Sequence, residues 1–386
     1  MRFIHLSDLH IGKRVNEFSM LEDQRFILHQ ILEIIDEKKV DGVWIAGDVY
    51  DKTVPSAEAV QLFDDFLTEL ADRELPVFVI SGNHDSPERI AFGARLLNSR
   101  GVYLSPVYNG KTEPVVLQDA YGEIRIYLLP FLKPAMVKHV FPEREITSYQ
   151  EALEAAIEAI KGNLTAEWDR SCRNILLAHQ FVTGSERSDS EECSVGGMDN
   201  VDASVFSDFD YVALGHIHKP QRAGRENIRY CGTPLKYSFS EAGHTKSVTL
   251  VDAGEKGNLT IQTEVLHPLR DLREIRGSYM ELTALENYRN TNTSDYLHIT
   301  LTDEEDIPDA IGRLRSIYPN IMKLDYDNLR TSQSQLVEGG AAVQQKTPLQ
   351  LFQEFYQLQN NQEMSKEQEE FVQELIEKTF EGDNIA

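Results

Sequence analysis

The chain has 386 residues, 41% of them hydrophobic and 26% charged, which is the composition of a folded globular protein long enough for two or three domains. Its net charge of −25 excludes binding of nucleic acid through the overall charge of the chain. A polyanionic substrate would therefore need bound cations, a local basic strip or a basic partner. No apolar run approaches the roughly 18 residues that cross a bilayer, so we expect no membrane span.

Cysteine usage and the position of the first motif predict a cytoplasmic protein. Cys172, Cys193 and Cys231 are odd in number and lack metal-type spacing, so we expect reduced thiols. Only six residues precede the motif that begins at Ser7, which leaves no room for a signal sequence. We therefore expect a cytoplasmic location and no membrane partner.

Five short apolar runs predict buried strands, and each is followed by polar residues of the kinds that bind metals. Runs rich in β-branched and aromatic residues suit strands that are buried on both faces. The runs and their following residues are 3–6 with Asp8 and His10, 42–46 with Asp48, 77–80 with Asn83, His84 and Asp85, 175–178 with His179, and 211–214 with His216 and His218. Ligands gather beyond the carboxyl ends of strands in open α/β sheets, so these side chains should face one crevice.

Helical patterns connect the first of these strands. Residues 22–39 carry an apolar stripe that includes Phe26, and residues 55–71 carry one that includes Val60. This alternation predicts right-handed strand–helix–strand units. Further along the chain we predict a second sheet over 103–131, a helix over 149–161, a long loop above the site over 183–200, and closing strands over 228–230 and 247–251.

The C-terminal third of the sequence divides into three parts after a first domain of residues 1–265. Residues 266–330 show a β-α-β-α-β order, which predicts a small α/β capping domain. Residues 331–346 are polar and contain Gly339-Gly340, which predicts a flexible linker. Residues 347–386 predict two helices with apolar stripes that are too short to be stable alone, so they should dock on the body of the chain or on another protein.

The donors at the strand ends predict a metal centre when they are taken together. For a single Asp-X-His pair such as Asp8 and His10, solvated polar residues would be the commoner explanation. The complete set has more members than one tetrahedral site uses, and contains oxygen and imidazole donors without a thiolate. It fits two ions that share a bridging carboxylate, and such donors suit Mn²⁺ or another divalent first-row ion. The set is Asp8, His10, Asp48, Asn83, His179, His216 and His218.

The order and context of these residues resemble the calcineurin-like metallophosphoesterases. The motifs that carry the resemblance are Asp8-X-His10, Gly47-Asp48-X-X-Asp51, Gly82-Asn83-His84-Asp85, a lone His179, and Gly215-His216-X-His218. Residues 5–12, 47–52, 213–221 and 232–240 are similar, more narrowly, to bacterial DNA nuclease subunits of this family that act with an ATPase subunit. The resemblance implies a four-layer α/β/β/α sandwich, followed by the capping, DNA-binding domain and a C-terminal helix pair that binds the ATPase.

The resemblance also implies a role for each site residue. One metal would take Asp8, His10 and His218, and the other would take Asn83, His179 and His216. Asp48 would bridge the two ions. His84 would not bind metal but would assist the transition state and the leaving group, with Asp85 orienting it.

The function that the resemblance implies is that of a two-metal, Mn²⁺-dependent DNA phosphodiesterase. It would act as a 3′-to-5′ exonuclease on duplex ends and as an endonuclease on hairpins or single strands. The expected partners are DNA, a second copy of the chain, and the ATPase, in a heterotetramer with two copies of each subunit. A phosphatase or small-molecule phosphodiesterase would use the same pocket but has little use for a cap and a tethered helix pair. A scaffold without catalysis is disfavoured because every ligand and His84 are present.

Other conspicuous residues have plainer explanations. We expect His5 to lie in the core or behind the ligands, and Trp44 to be a core residue of its strand. A basic run near the last motif would be either a solvated face or a strip that contacts phosphates. The run consists of Lys219, Arg222, Arg225, Arg229 and Lys236.

Overall fold

The computed structural model of the chain describes residues 1–162, 168–191, 200–305 and 307–328, together with positions 349–350, 352–353, 356, 364–366, 368–369, 371–373 and 375–376. The chain forms two compact units, Met1–Leu272 and Arg273–Ala386. The boundary predicted from the sequence lies near Val265. The predicted linker and much of the predicted C-terminal helix pair lie outside the described residues.

The first unit contains two six-stranded sheets. In the first sheet, parallel strands occupy one side and two antiparallel strands complete the other. Its spatial order is Leu259–Val265, Ser247–Ala253, Arg2–Leu6, Gly42–Ala46, Val77–Ile80 and Val102–Leu104, in which the last four are parallel neighbours. The strand Leu259–Val265 was not predicted.

The second sheet has four parallel strands in the centre and an antiparallel strand at each edge. Its spatial order is Gln221–Ala223, Arg225–Tyr230, Tyr211–Gly215, Arg173–His179, Gly122–Leu128 and Val115–Asp119. The change of sequence pattern predicted at residue 103 therefore marks the passage from the first sheet to the second. The strand Val102–Leu104 still belongs to the first sheet.

An apolar core fills the space between the two sheets. Alternate residues of each strand point into it, among them Trp44 from the first sheet and Tyr211 and Ile175 from the second. The ring of Trp44 stacks on Phe3 with centroids 4.4 Å apart and on Tyr211 at 5.5 Å. The prediction that Trp44 is a core residue is confirmed.

The remaining residues of these strands face outward and are also buried, because helices cover both outer faces. On the second sheet, Leu176 and Val212 pack with residues of the helix Tyr149–Lys161. The helices Leu21–Lys38 and Ala57–Asp72 connect parallel strands of the first sheet and bury residues such as Ile31 and Phe66. Burial on both faces explains why the strands are continuous apolar runs. The predicted four-layer α/β/β/α arrangement is confirmed.

The two predicted helical stripes were too wide. Phe26 is 41% exposed and Val60 is 45% exposed, although both have helical spacing with buried neighbours. The helices instead turn residues such as Leu28 and Ala59 toward the interior. Spacing defines the axis of a stripe more reliably than its edges, since a helix touches the sheet over only part of its circumference.

Shorter elements complete the first unit. They are the strands Arg14–Val15, Phe18–Ser19, Phe181–Val182 and Asn200–Val201, the α-helices Pro87–Ile90, Ala94–Leu97 and Pro134–Val140, and the 3₁₀-helices Asn98–Arg100, Ala203–Phe206 and Phe239–Glu241. The helix Tyr149–Lys161 begins with a capping box formed by Ser148 and Glu151, and its C-cap is Gly162.

The second unit contains a three-stranded sheet with helices on one face. The strands follow the order Leu272–Gly277, Tyr296–Leu301 and Ile321–Tyr326, and the helices are Tyr279–Thr283, Leu285–Tyr288 and Ala310–Arg315. Leu297, Ile299 and Leu314 form the centre of its core. These elements follow the β-α-β-α-β order predicted from the sequence.

Two further expectations concern cysteines and membranes. Cys172 and Cys231 are free thiols, whereas Cys193 lies outside the described residues. Within the described parts of the chain, no helix combines the length and the apolar character that a membrane span requires.

Arg173 joins the two sheets at the edge opposite to the predicted site. Its guanidinium is 3% exposed and makes a bidentate ion pair with Asp119, with an Nη1–Oδ2 distance of 3.0 Å. It also donates to the carbonyls of Gly122 in the second sheet and Ala253 in the first, at 2.6 Å and 3.1 Å. The guanidinium holds the pKa of the Asp119 carboxyl well below its usual range.

Removing this guanidinium should destabilise the first unit strongly. We expect Arg173→Met to lower the free energy of unfolding by about 3 kcal/mol, because Asp119 loses its bidentate partner and the carbonyls of Gly122 and Ala253 each lose a donor. Urea unfolding followed by tryptophan fluorescence checks this, since Trp44 and Trp168 both lie in the first unit. The matched control is Arg170→Met, whose side chain is 78% exposed and pairs with Asp208 at the surface, and which should change stability by less than about 0.5 kcal/mol. Equal effects in both variants would contradict this role of Arg173.

Candidate metal centre

Both sheets contribute side chains to one cluster at the carboxyl ends of their parallel strands. Asp8 and His10 follow Arg2–Leu6, Asp48 follows Gly42–Ala46, and Asn83 follows Val77–Ile80 in the first sheet. From the second sheet, His179 is the last residue of its strand, and His216 and His218 follow Tyr211–Gly215. The sequence predicted the strand ends but not that the crevice lies between two sheets.

The donor atoms of these residues converge. Three groups have ligand atoms within 4.8 Å of one another, namely Asp8 with His10 and His218, Asp8 with Asp48 and His179, and His10 with Asp48 and His84. Two of these groups share Asp48, whose Oδ2 lies 3.3 Å from His179 Nε2 and 3.8 Å from His10 Nε2.

The asparagine joins the cluster through its side-chain oxygen. His179 Nε2 and His216 Nδ1 each lie 2.9 Å from Asn83 Oδ1. His10 Nε2 also faces His218 Nε2 at 3.1 Å. The donors therefore form overlapping groups of imidazole and oxygen atoms that share Asp8, His10 and Asp48.

The electrostatics of the cluster favour a bound cation. Burial, together with Asp48, raises the pKa of Asp8 and of Asp85 to about 6. Burial disfavours the charged form of Asp48 too, but His179 and His10 hold its pKa below the usual range. Several desolvated carboxylates in one place are costly without a compensating charge, which divalent metal ions provide.

The pKa values of the buried histidines in the cluster shift in two directions. Burial lowers the pKa of His10 and of His216 well below the ordinary value, so both rings are neutral, which is the form that binds metals. Burial acts in the same direction on His179, but the adjacent Asp48 outweighs it and raises the pKa of His179 to about 9. The pKa of each of these three histidines thus depends on the charged groups around its ring as well as on burial.

The backbone of the cluster is strained where the side chains must turn inward. Asp8, His10 and Asp48 have positive φ angles of 51°, 44° and 49°, and His216 has a φ of 102°. Such conformations are unfavourable for residues with a Cβ and persist where the surrounding structure enforces them. Hydrogen bonds supply part of this enforcement, since His216 N donates to Asp8 Oδ1 at 3.0 Å and His10 N donates to Asp48 O at 3.0 Å.

The two sheets come very close together at Gly215. A Cβ placed on Gly215 would lie 1.9 Å from Ala46 O and 2.6 Å from His179 Nδ1. The absence of a side chain lets Ala46 O accept a hydrogen bond from His179 Nδ1 at 2.8 Å. This bond leaves Nε2 of His179 as the atom directed at Asp48.

His84 and Asp85 occupy different positions relative to the donors. His84 Nδ1 lies 3.0 Å from the carbonyl oxygen of Asp51, and the ring packs edge-on against His10. The Asp85 carboxylate accepts from the backbone amides of Val49, Tyr50 and Gly82, at 3.1, 3.0 and 2.9 Å. Asp85 thereby fixes the two loops that carry Asp48 and Asn83.

Four polar residues behind the cluster escaped the sequence analysis; Ser190 is half-buried and the other three are buried. Ser190 and Glu191 were assigned to a loop above the site, and Glu241 and Lys246 were not singled out. All four belong to one hydrogen-bonded network that ends on His218. The only signal in the sequence was the acid- and serine-rich composition of the loop, and composition does not show that Ser190 and Glu191 point toward the cluster.

The basic run from Lys219 to Lys236 is largely neutralised by neighbouring acids. Lys219 pairs with Glu186. Arg229 Nη1 lies 2.9 Å from Glu226, and Lys236 Nζ lies 2.9 Å from Asp271. These ion pairs favour the explanation of a solvated, internally paired face over a strip that contacts phosphates. His5 is fully buried beside Tyr211, with Nδ1 3.1 Å from the hydroxyl, as expected for a residue behind the donors.

Comparisons with known proteins agree with this fold and cluster. The sequence profile of the calcineurin-like phosphoesterases matches residues 1–220, and a profile described as the type 5 capsule protein repressor C-terminal domain matches residues 268–360. The fold and the site thus define a metal-dependent phosphoesterase of the calcineurin-like class. The D subunit of the nuclease SbcCD from Staphylococcus epidermidis is 32% identical over 379 residues, which cover 97% of this chain and 98% of that protein. The chain belongs to the SbcD family of nuclease subunits.

Solved structures were also compared. A dimetal phosphatase from Danio rerio is 13% identical, with a TM-score of 0.40, and covers 68% of this chain and 95% of its own. The protein TT1561 of Thermus thermophilus is 12% identical, with a TM-score of 0.39, and covers 68% of this chain and 98% of its own. The family, the fold class and the enzyme class predicted from the sequence are confirmed by the profile match and the relative.

The close approach at Gly215 makes this position sensitive to one methyl group. We expect Gly215→Ala to lower metal-dependent hydrolysis of bis(p-nitrophenyl) phosphate by about 10²-fold and to weaken metal binding, because the Cβ would displace His179 from Ala46 O. Hydrolysis rates and calorimetric titration with Mn²⁺ measure the two effects. Gly243→Ala is the control, since a Cβ at Gly243 meets nothing within 4 Å. A Gly215→Ala variant with unchanged activity would show that the sheets can separate without cost.

Proposed function

We propose that the chain is the Mn²⁺-dependent DNA nuclease subunit of an SbcCD complex, acting with the ATPase SbcC in DNA repair, replication and recombination. It would degrade duplex ends from 3′ to 5′ and cut hairpins and single strands internally. The observation that carries the proposal is the shared carboxylate of Asp48 between two groups of buried donors. The similarity of nearly the whole chain to the D subunit of a nuclease SbcCD supports the choice of substrate.

The donor set is suited to two divalent ions. Asp8, His10 and His218 would hold one ion, and Asn83, His179 and His216 would hold the other, with Asp48 shared. The neutral rings of His10 and His216 and the excess of buried carboxylates fit such ions without rearrangement of the donor types. When bound, the metals supply Lewis-acid polarisation of the phosphoryl group and a water of lowered pKa.

His84 is the side chain that we assign to proton transfer. A carbonyl oxygen only accepts hydrogen bonds, so the contact with Asp51 O places a proton on His84 Nδ1, and Nε2 is the ring atom that we assign to the substrate. A protonated ring would donate from Nε2 to the departing 3′ oxygen of the cleaved phosphodiester. Asp85 would act as a positioning residue, since its three backbone hydrogen bonds hold the loops of Asp48 and His84 together.

Substituting the catalytic histidine separates chemistry from metal binding. We expect His84→Ala to cut Mn²⁺-dependent digestion of end-labelled duplex DNA by about 10²-fold or more, the usual scale of acid–base assistance, while Mn²⁺ binding stays nearly intact. Nuclease assays and calorimetry measure the two quantities. His139→Ala serves as the control, because this histidine lies on the helix Pro134–Val140 outside the cluster.

Two results would contradict the proposal. Parallel loss of metal binding and activity in His84→Ala would show that His84 is a ligand. Rapid hydrolysis of an aryl phosphate monoester by the wild-type chain, without digestion of DNA, would favour a phosphatase instead.

The partner SbcC would supply the grip on long DNA. The chain is acidic overall, and three of the five cations of its basic run, Lys219, Arg229 and Lys236, are paired closely with acids. We assign SbcC binding to the C-terminal helix pair, in which Phe371 is 62% exposed among the described positions. The second unit would act as the DNA-binding cap, and the full assembly would contain two copies of each subunit.

The homodimer would use an exposed apolar surface beside the helix Ala57–Asp72. Phe92 and Leu96 are 85% and 80% exposed, and they line one groove with Val60 and Leu67. Exposed apolar surface of this kind marks sites of association. A second copy of the chain is the occupant that the proposed assembly requires.

Charge introduced on this surface should separate the two copies. We expect the double variant Phe92→Glu and Leu96→Glu to be monomeric at concentrations where the wild-type chain is a dimer, because burying a carboxylate is costly. Size-exclusion chromatography with light scattering measures the mass. Met280→Glu, on a similarly exposed residue of the second unit, should remain dimeric. A dimeric double variant would place the interface elsewhere.

A further inference from the structure

His218 has one ring nitrogen in the cluster and the other in a buried polar network. Nε2 faces His10 Nε2 at 3.1 Å, whereas Nδ1 lies 2.6 Å from Ser190 Oγ. The Ser190 hydroxyl is in turn hydrogen-bonded to Glu241 Oε1. The residue at the end of this chain, Glu241, is fully buried.

Lys246 fixes the orientation of the Glu241 carboxylate. Its Nζ donates to Glu241 Oε2 at 2.5 Å, to the carbonyl of His218 at 2.9 Å and to Thr233 Oγ1 at 2.7 Å. An ammonium group has donors only, so Oε2 must accept from Lys246. This leaves Oε1 for Ser190.

The direction of each hydrogen bond follows from this arrangement. A carboxylate only accepts, so the Ser190 hydroxyl donates to Glu241. The lone pairs of Ser190 Oγ are then available to the Nδ1–H of His218. A neutral imidazole carries one proton, so Nε2 of His218 keeps its lone pair toward the cluster, which is the tautomer that binds a metal through Nε2.

We propose that Glu241 is a positioning residue that selects the metal-binding tautomer of His218 through the Ser190 hydroxyl. The inference rests on the proposed function, in which His218 is a metal ligand. A partner on the outer nitrogen of a ligating histidine fixes the ring and its tautomer, and its loss weakens metal binding by about 10–100-fold. Glu191 holds the backbone of the same residue, since its Oε1 accepts from the His218 backbone amide at 2.6 Å.

The substitution Glu241→Gln should reverse the hydrogen bonds without removing the side chain. Lys246 still requires an acceptor, so the amide oxygen would turn to Lys246 and the amide NH₂ would face Ser190. The hydroxyl would then accept from Gln and donate to His218 Nδ1. The proton of His218 would move to Nε2, and a metal would bind there only after that proton had moved again, at a cost in affinity.

Two measurements follow this change. Calorimetry with Mn²⁺ should show that one of two binding events weakens by about 10–100-fold while the other persists. Nitrogen-15 NMR of histidine-labelled, metal-free protein reports the tautomer directly, with the His218 signals assigned by their absence in His218→Ala. We expect Nδ1–H in the wild-type chain and Nε2–H in Glu241→Gln. A purely structural role of Glu241 would lower stability but would leave the tautomer unchanged.

The controls separate this inference from the proposed function. Glu186→Gln alters an exposed acid of the same loop that pairs with Lys219, and should change neither measurement. If His218→Ala binds Mn²⁺ like the wild type, the ligand assignment itself fails. If His218→Ala loses one ion but Glu241→Gln binds both normally, only the positioning role fails. A wild-type spectrum with Nε2–H on His218 would overturn the inference even if Glu241→Gln did not fold.

Discussion

The close contact between the two sheets at Gly215 is the constraint on which the site depends. At Gly215 the second sheet approaches the carbonyl of Ala46 in the first so closely that no side chain fits between them. This approach brings the carboxyl ends of the parallel strands of both sheets together and places His179 next to Asp48. Each sheet alone holds only some of the donors, so the centre exists only where the sheets meet.

The interior of the first unit is rigid where it supports this contact. Stacked aromatic rings of Phe3, Trp44 and Tyr211 hold the sheets apart at the centre of the core, and Arg173 joins them at the opposite edge. The positive φ angles of Asp8, His10 and Asp48 persist because hydrogen bonds such as those from Asp8 N to Gly47 O and from His10 N to Asp48 O hold these turns in place. The packing energy of a large core thus offsets the cost of the strained backbone and the buried charges of the cluster.

Much of this site could be predicted because its signals are local. A strand buried on both faces is a continuous apolar run, and a polar residue of a metal-binding type directly after it is visible in the sequence, as at Asp48 and Asn83. Which strands share a sheet is not local, so the assignment of His179 and His216 to the second sheet required the structure. The same limit hid Ser190 and Glu241, which are 51 residues apart and meet only through tertiary packing.

The edges of the helical stripes show the same limit on a smaller scale. Phe26 and Val60 have the spacing of core residues, yet the sheet does not extend beneath them. Conversely, the helix Leu21–Lys38 buries two polar residues. Asp23 pairs with Arg270, and Gln24 donates to the carbonyl of His10. Hydrophobic spacing does not identify polar residues that are buried because they have partners.

The raised pKa of His179 affects the number of protons that metal binding releases into solution. Near neutral pH, without metal, His179 carries a proton because Asp48 raises its pKa to about 9. If His179 binds a metal as proposed, its ring must give that proton up, so metal binding would acidify an unbuffered solution. The heat of loading then includes the ionisation of whichever buffer takes the proton, and the apparent affinity falls as the medium becomes more acidic. Titrations in two buffers with different ionisation enthalpies would therefore count the protons displaced by each ion.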